Sequence, residues 1–285
     1  MKILITGAEG QLGTALRHLY NDTGAEVFAM GKNDLDVTSR DQVFEKIKSL
    51  CPDIIINCAG FHLVEDAENN VDAAFQGNAF AAGWIAQAAE SVSAKMVHVS
   101  TDYVFEGTKS EGYSEFDLPK PLNVHGASKL AGEHLVAMKC SRHYILRTSW
   151  VFGDAISAKK KNFVLRMIDK AKVGESIRVV DDQFGSPTYA KDLALVIQEV
   201  IQKEIPYGLY HATNSGFCSW YDFTKKIFEF TGMKVEVVPI KTDSSGSNVK
   251  RPKHSILLNN RLTEAGINKF RSWKDALSEY IDQLP

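Results

Sequence analysis

Residues 5–16 read ITGAEGQLGTAL, with glycines at positions 7, 10 and 13 behind an apolar run and ahead of a stretch with helical spacing. In such a strand–turn–helix the first glycine, Gly7, allows the tight turn. The second, Gly10, lets backbone approach a pyrophosphate, and the third, Gly13, lets the helix pack on the sheet. Gln11 and Leu12 open the helix. The trio alone is compatible with a plain strand-to-helix turn, but its place between a good strand and a good helix favours a dinucleotide cradle. Glu9 is out of character there, because a carboxylate beside a phosphate cradle repels it unless it turns to solvent. The second strand leads into GKNDLDVT at 31–38, with no acid immediately at its end to take a ribose 2′-hydroxyl. Lys32 is placed to meet a 2′-phosphate, which leans the expected cofactor, NADPH or NADH, toward NADP.

Working outward, the same alternation continues. Short β-branched runs occur at 25–31, 53–60, 95–101, 143–150 and 176–182, with helical stretches such as 71–92 and 128–139 between them. Continuous apolar strands alternating with helices predict an α/β fold, a Rossmann-type doubly wound parallel sheet covered on both faces. The last third is less regular, with strands at 207–213 and 234–240, helices at 219–230 and 273–284, and a polar loop at 241–255. We expect residues 1–150 to form mainly the cofactor domain and residues 151–285 mainly a small α/β substrate cap, with the chain crossing between them.

Composition narrows the class. The chain has 285 residues, 44% apolar and 24% charged, and a net charge of −2. That suits an ordinary globular protein and gives no electrostatic case for nucleic acid or an anionic membrane. No apolar segment is long enough for a signal-peptide core or a bilayer span. Cys51, Cys58, Cys140 and Cys218 match neither a zinc site nor a dense disulfide framework, so no metal is expected and a reduced, cytoplasmic protein is.

Further motifs run from end to end: LDVT (35–38), INCAGF (56–61), VSTDYVFEG (99–107), PLNVHGASKLAGE (121–133), LRTSWVFG (146–153), DDQFGSPTYAKDLA (181–194), CSWYDF (218–223) and RPKHSIL (251–257). With the glycine turn they resemble the dTDP-4-dehydrorhamnose reductase family of extended short-chain dehydrogenase/reductases. The resemblance implies NAD(P)H and reduction of a 4-ketone on a thymidine-diphosphate-linked deoxysugar. It implies that Thr101 bonds the ketone, that Lys129 holds the nicotinamide ribose, and that Asp102, Tyr103 and Trp150 line the substrate site. It also implies that Asp36, Val37, Asn57, Cys58 and Ala59 join the glycine turn around the cofactor. The partner is a small nucleotide sugar, and a homodimer is compatible with the pattern.

The departures cluster. Where such reductases read roughly NCAAYTAVDKAE, this chain has NCAGFHLVEDAE, placing His62, Leu63 and Glu65 at the usual threonine, alanine and aspartate. In the next helix Gly77 and Trp84 stand for a valine and an asparagine. Seven residues apart on one helical face, they suggest a small-for-large exchange reshaping a pocket or repacking a core. The family tyrosine that donates the proton is His125. Imidazole can be a general acid, but its tip lies roughly 2 Å short of a tyrosine hydroxyl, and transfer needs hydrogen-bond reach.

Three readings follow: a nucleotide-sugar reductase with impaired proton transfer and weakened cofactor binding; the same scaffold altered, by nature or by design, for histidine-based hydrolysis; or a non-catalytic relative, like the reductase-fold regulatory subunit of methionine adenosyltransferase. For the second, Cys58, His62 and Glu65 have the spacing of an activated thiol, with His125 a further candidate.

Overall fold

The computed structural model describes residues 1–21, 23–155, 161–174 and 176–284. Its centre is a six-stranded, all-parallel sheet. The strands are β1 (Lys2–Thr6), β2 (Glu26–Met30), β3 (Ile54–Asn57), β4 (Lys95–Thr101), β5 (His143–Thr148) and a last edge strand, Gly208–His211. Their order across the sheet is β2, β1, β3, β4, β5 and the edge strand, so the chain winds first to one side of β1 and then to the other. The crevice between β1 and β3 is therefore a topological switch point, where sheets of this kind take ligands.

Side chains alternate across each strand and bury into two different layers. Ile3, Ile5, Ile54 and Ile56 face helix α1 (Gln11–Asn21) and helix Ala190–Lys203. Leu4 and Ile55 face the opposite layer of α2 (Arg40–Leu50), α5 (Ala81–Ser91) and α6 (Val124–Lys139). Two short helices, α3 (Val64–Asn69) and α4 (Val71–Phe75), lead from β3 into a π-helical turn, Gln76–Phe80, that continues into α5. The architecture is the doubly wound α/β class expected from the sequence.

A second core, rich in aromatics, gathers Phe152, Tyr189, Phe223, Trp273 and Tyr280 among helices Phe163–Lys172, Trp220–Thr231 and Trp273–Asp282. Two details differ from the sequence pattern. Ile177–Val180 was expected to continue the main sheet, but it pairs only with Val237–Ile240 beside the second core. Its exposed Arg178 shows why, since a strand buried on both faces has no place for a cation. Conversely, helix Ala190–Lys203 and strand Gly208–His211, from the last third of the chain, return to the main layers. Among the described residues no helix is long and apolar enough to cross a membrane, and no group of three or more His, Cys, Asp or Glu gathers as metal ligands. All four cysteines are free.

Candidate active site

The glycine turn lies at the C-terminal end of β1, against the exit of β3. Gly7 has φ +65°, a conformation costly for other residues. A Cβ on it would sit 2.7 Å from the Ala59 nitrogen and 2.8 Å from the Cys58 carbonyl carbon. A Cβ on Gly13 would lie 2.5 Å from the Gly7 oxygen and 2.6 Å from the Ala8 Cα. These two glycines are thus needed by the protein itself. Gly10 differs: a Cβ there would meet only the Gly7 oxygen, at 3.3 Å. Its other side is open. Helix α1 starts beside it with no acid in its first turn, so the helix N-terminus is available to an anion. The Gln11 Oε1 is buried there without a partner. An open flank and a helix N-terminus without an acid in its first turn fit a pyrophosphate-containing cofactor, whose ribose or amide donors can meet the Gln11 oxygen.

Glu9 does not turn to solvent alone. Its carboxyl group lies over Gly31, where a Cβ would be 2.7 Å from Glu9 Cδ and 2.8 Å from its Oε1. Lys32, Asp36 and Val37 follow on the loop after β2. The Asp36 carboxylate accepts from the Thr38 hydroxyl at 2.7 Å and backbone N–H at 3.0 Å, which hold it below the usual range.

Asn57 braces the switch point. Its Oδ1 accepts from Thr6 Oγ1 at 2.7 Å and from the Ala59 N–H at 3.2 Å, and its Nδ2 donates to His98 Nδ1 at 3.0 Å. Cys58 packs against the core below, and burial pushes its thiol up to about 12 against the pull of Lys129. The Glu65 carboxylate is engaged by Arg251. A thiol held protonated, and a carboxylate already paired, oppose the activated nucleophile that the spacing of Cys58, His62 and Glu65 suggested. The His62 ring folds back on its own loop, with its Cε1 3.2 Å from where a Cβ on Gly60 would be.

Thr101 ends β4, Lys129 bonds the same strand at Val99, and His125 lies against Tyr103 just beyond it. Thr101 Oγ1 donates to Asp102 Oδ1 at 3.0 Å and caps the following turn by accepting from the Tyr103 N–H at 3.2 Å. Lys129 is buried on α6 and donates to the Val99 carbonyl at 2.5 Å. Burial lowers its ammonium to about 8, while Glu133 and Cys58 pull the other way. One helical turn earlier, the buried His125 places Nδ1 3.1 Å from the Phe61 carbonyl. Burial, then the Lys129 charge, push its pKa down to about 4. The ring is therefore neutral, and because a carbonyl only accepts, Nδ1 carries the proton. Nε2 is left as a lone pair.

The loop receiving that bond is itself clamped. Asn78, inside the π turn, accepts from the Phe61 N–H at 2.7 Å, donates to its carbonyl at 3.1 Å and donates to Ser128 at 2.9 Å. π turns of this kind recur at functional sites. This turn also corrects the pairing of Gly77 with Trp84. Gly77 sits in it and faces Phe61, with room for a methyl group at 3.5 Å from the Phe61 Cβ. Trp84 stacks on Phe80 and packs into the core of α2, α5 and α6. Leu63 is 63% exposed, so it fills no enclosed space.

On the other side, Tyr103 meets the His125 ring edge-on at 6.0 Å. Burial raises its phenol, and Arg251 reaches it as well as Glu65. Burial raises Asp102 to about 7, against bonds from Ser255 and Thr101, and its Oδ2 has no partner. Trp150 takes φ +48° and is held between Trp220, stacked at 3.5 Å, and Gly185. Sequence reasoning named neither Asn78 nor Arg251, although RPKHSIL contains the latter. Nor did it find the buried Arg147–Glu133 pair at 2.6 Å that backs this corner.

The RmlD substrate binding domain family model matches residues 1–285. The chain belongs to that family. Among its relatives, the spore coat polysaccharide biosynthesis protein SpsK of Bacillus subtilis is 38% identical over 99% of this chain and 97% of its own. The dTDP-4-dehydrorhamnose reductase of Clostridium acetobutylicum superposes with a TM-score of 0.95 at 41% identity, covering 99% of both chains. That of Bacillus anthracis, solved in complex with NADP, gives 0.95 at 42%, also covering 99% of both. The RmlD likeness thus spans the second core as well as the sheet.

Proposed function

We propose that this RmlD-family chain reduces the 4-ketone of a thymidine-diphosphate-linked deoxysugar with NAD(P)H, and that proton delivery limits its rate. The observation carrying this reading is the open Gly10 flank at the switch point, with Lys129 and Thr101 at the neighbouring strand end. The NADP complex of the Bacillus anthracis relative supports it. Residues 1–150 mainly hold the cofactor, and residues 151–285 mainly the sugar nucleotide, with Asp102, Tyr103 and Trp150 toward the sugar. When bound, the reduced nicotinamide supplies the hydride. Lys129 holds the nicotinamide ribose, and Thr101 hydrogen-bonds the ketone oxygen. The alkoxide then needs a proton. His125 is a poor source, since its Nε2 bears none at neutral pH. Burial raises Asp102 to about 7, so its protonated form can donate to Thr101 Oγ1, 3.0 Å away, when Thr101 turns its own hydroxyl proton from Asp102 to the ketone oxygen.

The test is fluorescence titration with NADH and NADPH, followed by oxidation of the bound cofactor with dTDP-4-dehydrorhamnose. Saturable binding and slow turnover that Thr101→Val abolishes are expected. Absence of binding at millimolar cofactor overturns the reading.

A further inference from the structure

We propose that Glu9 sets how this chain divides its affinity between NADH and NADPH, by gripping the adenosine ribose hydroxyls and repelling a 2′-phosphate. The inference rests on the reading above that a dinucleotide occupies the glycine turn. In a doubly wound sheet the adenosine ribose lies at the end of the second strand, where an acid takes the 2′-hydroxyl and a cation accommodates a 2′-phosphate. Here the exit of β2 supplies no free acid of its own. Asp34 accepts the Gly31 N–H at 2.9 Å, and Asp36 is bound to Thr38.

Glu9 fills the gap from the opposite side. The space where a residue-31 side chain would stand is occupied by its carboxyl group, at 2.7–2.8 Å from the position of a Cβ. The Ala8 N–H donates to the Met30 carbonyl at 3.1 Å and pins the turn to the strand end, so a short reach suffices. Glu9 is exposed, and among the described residues it makes no hydrogen bond or ion pair. Its acceptor oxygens are free for a ribose diol. Against a 2′-phosphate the same charge is repulsive, and Lys32, exposed beside Gly31, pulls in the other direction. The balance between the two dinucleotides is then Glu9 against Lys32.

The experiment measures dissociation constants for NADH and NADPH, and for the fragments ADP-ribose and 2′-phospho-ADP-ribose, on the full chain and on Glu9→Gln, Gly31→Ala and Lys32→Gln. Glu9→Gln is expected to shift the ratio toward the 2′-phosphorylated ligands by about 10-fold or more. Gly31→Ala, whose methyl group displaces the flexible end of Glu9, shifts it the same way. Lys32→Gln shifts it oppositely. If all four ligands bind and Glu9→Gln leaves the ratio unchanged, the proposal is overturned while the cofactor reading stands. If none binds the unaltered chain, both fall.

Discussion

At the end of β1, one methyl group added to Gly13 would run into the backbone at 2.5 Å, whereas at the end of β4 the proposed reduction has to run with an imidazole at position 125, where the resemblance calls for a phenol, beside Thr101 and Lys129. The first region is specified by excluded volume among residues a few positions apart. The second is specified by the protonation state of a side chain, which burial within the folded chain and the Lys129 charge decide. A backbone cradle tolerates almost nothing and so keeps its signature. A proton-transfer corner can lose its acid and keep its shape. The sharpest way to break this comparison is to return the acid. His125→Tyr should raise ketone reduction by about 10²–10⁴-fold, the usual contribution of a positioned general acid. A rate unchanged from an already fast parent would show that position 125 never limited the reaction.

The next effect is on acid stability. The His125 pKa is depressed in the folded state, to about 4 from the usual 6.5. Between those values the unfolded chain binds more protons, so the folded state loses stability as pH falls from about 6.5 to about 4. At roughly 1.4 kcal/mol per pKa unit, this amounts to about 3 kcal/mol. His125→Gln can still donate to the Phe61 carbonyl but does not titrate. In denaturant unfolding at pH 8, 5 and 4, the variant should gain on the parent only at the lower values. His98 and His211, also buried and held below their usual pKa, titrate in both proteins and cancel in the difference. A pH-independent difference would mean that His125 is not held neutral.

Within the turn itself the three glycines should separate. Gly13→Ala is expected to cost about 1–3 kcal/mol by overpacking, seen as a lower Tm. Gly10→Ala should cost about 1 kcal/mol or less, as a change of N-cap residue. It should nevertheless weaken NADPH and NADH binding by more than Gly13→Ala weakens the fold. Equal losses of Tm in the two variants would remove the distinction between a glycine kept for packing and one kept for a ligand.

This contrast also explains what could be read in advance. The turn was legible because its requirements lie within a dozen residues, and the apolar runs of β1 to β5 announced a sheet buried on both faces. Ile177–Val180 misled because a short apolar run looks the same in either core, and only Arg178 marked it as one-sided. That Lys129 favours a neutral His125 could be read from their four-residue spacing, but the burial of the ring and its tautomer could not, since the tautomer is fixed by the carbonyl of Phe61, 64 positions upstream. Arg251 joins Glu65 from 186 positions away, which no spacing rule reaches. Glu9 stood out as a misplaced charge, but its partner surface, the empty side of Gly31, required the strand register.

The smallest expected effect tests the segment between the two regions. The seven-residue spacing pairs Gly77 with Trp84 as a small-for-large exchange on one face of a regular helix. The π turn breaks that register, and the neighbour of Gly77 is Phe61, with a Cβ position at an ordinary 3.5 Å contact. No steric reason then opposes alanine, and φ here is not positive. Glycine in a helical interior costs about 1 kcal/mol relative to alanine. Gly77→Ala should therefore stabilise the protein by up to about that amount, visible as a small rise in Tm. Asn78 next to it must stay bound to Phe61, so ketone reduction and the low pKa of His125 should not change. A loss of stability instead would mean that the π turn needs the freedom of glycine, and that the loop carrying Phe61 is tuned through it.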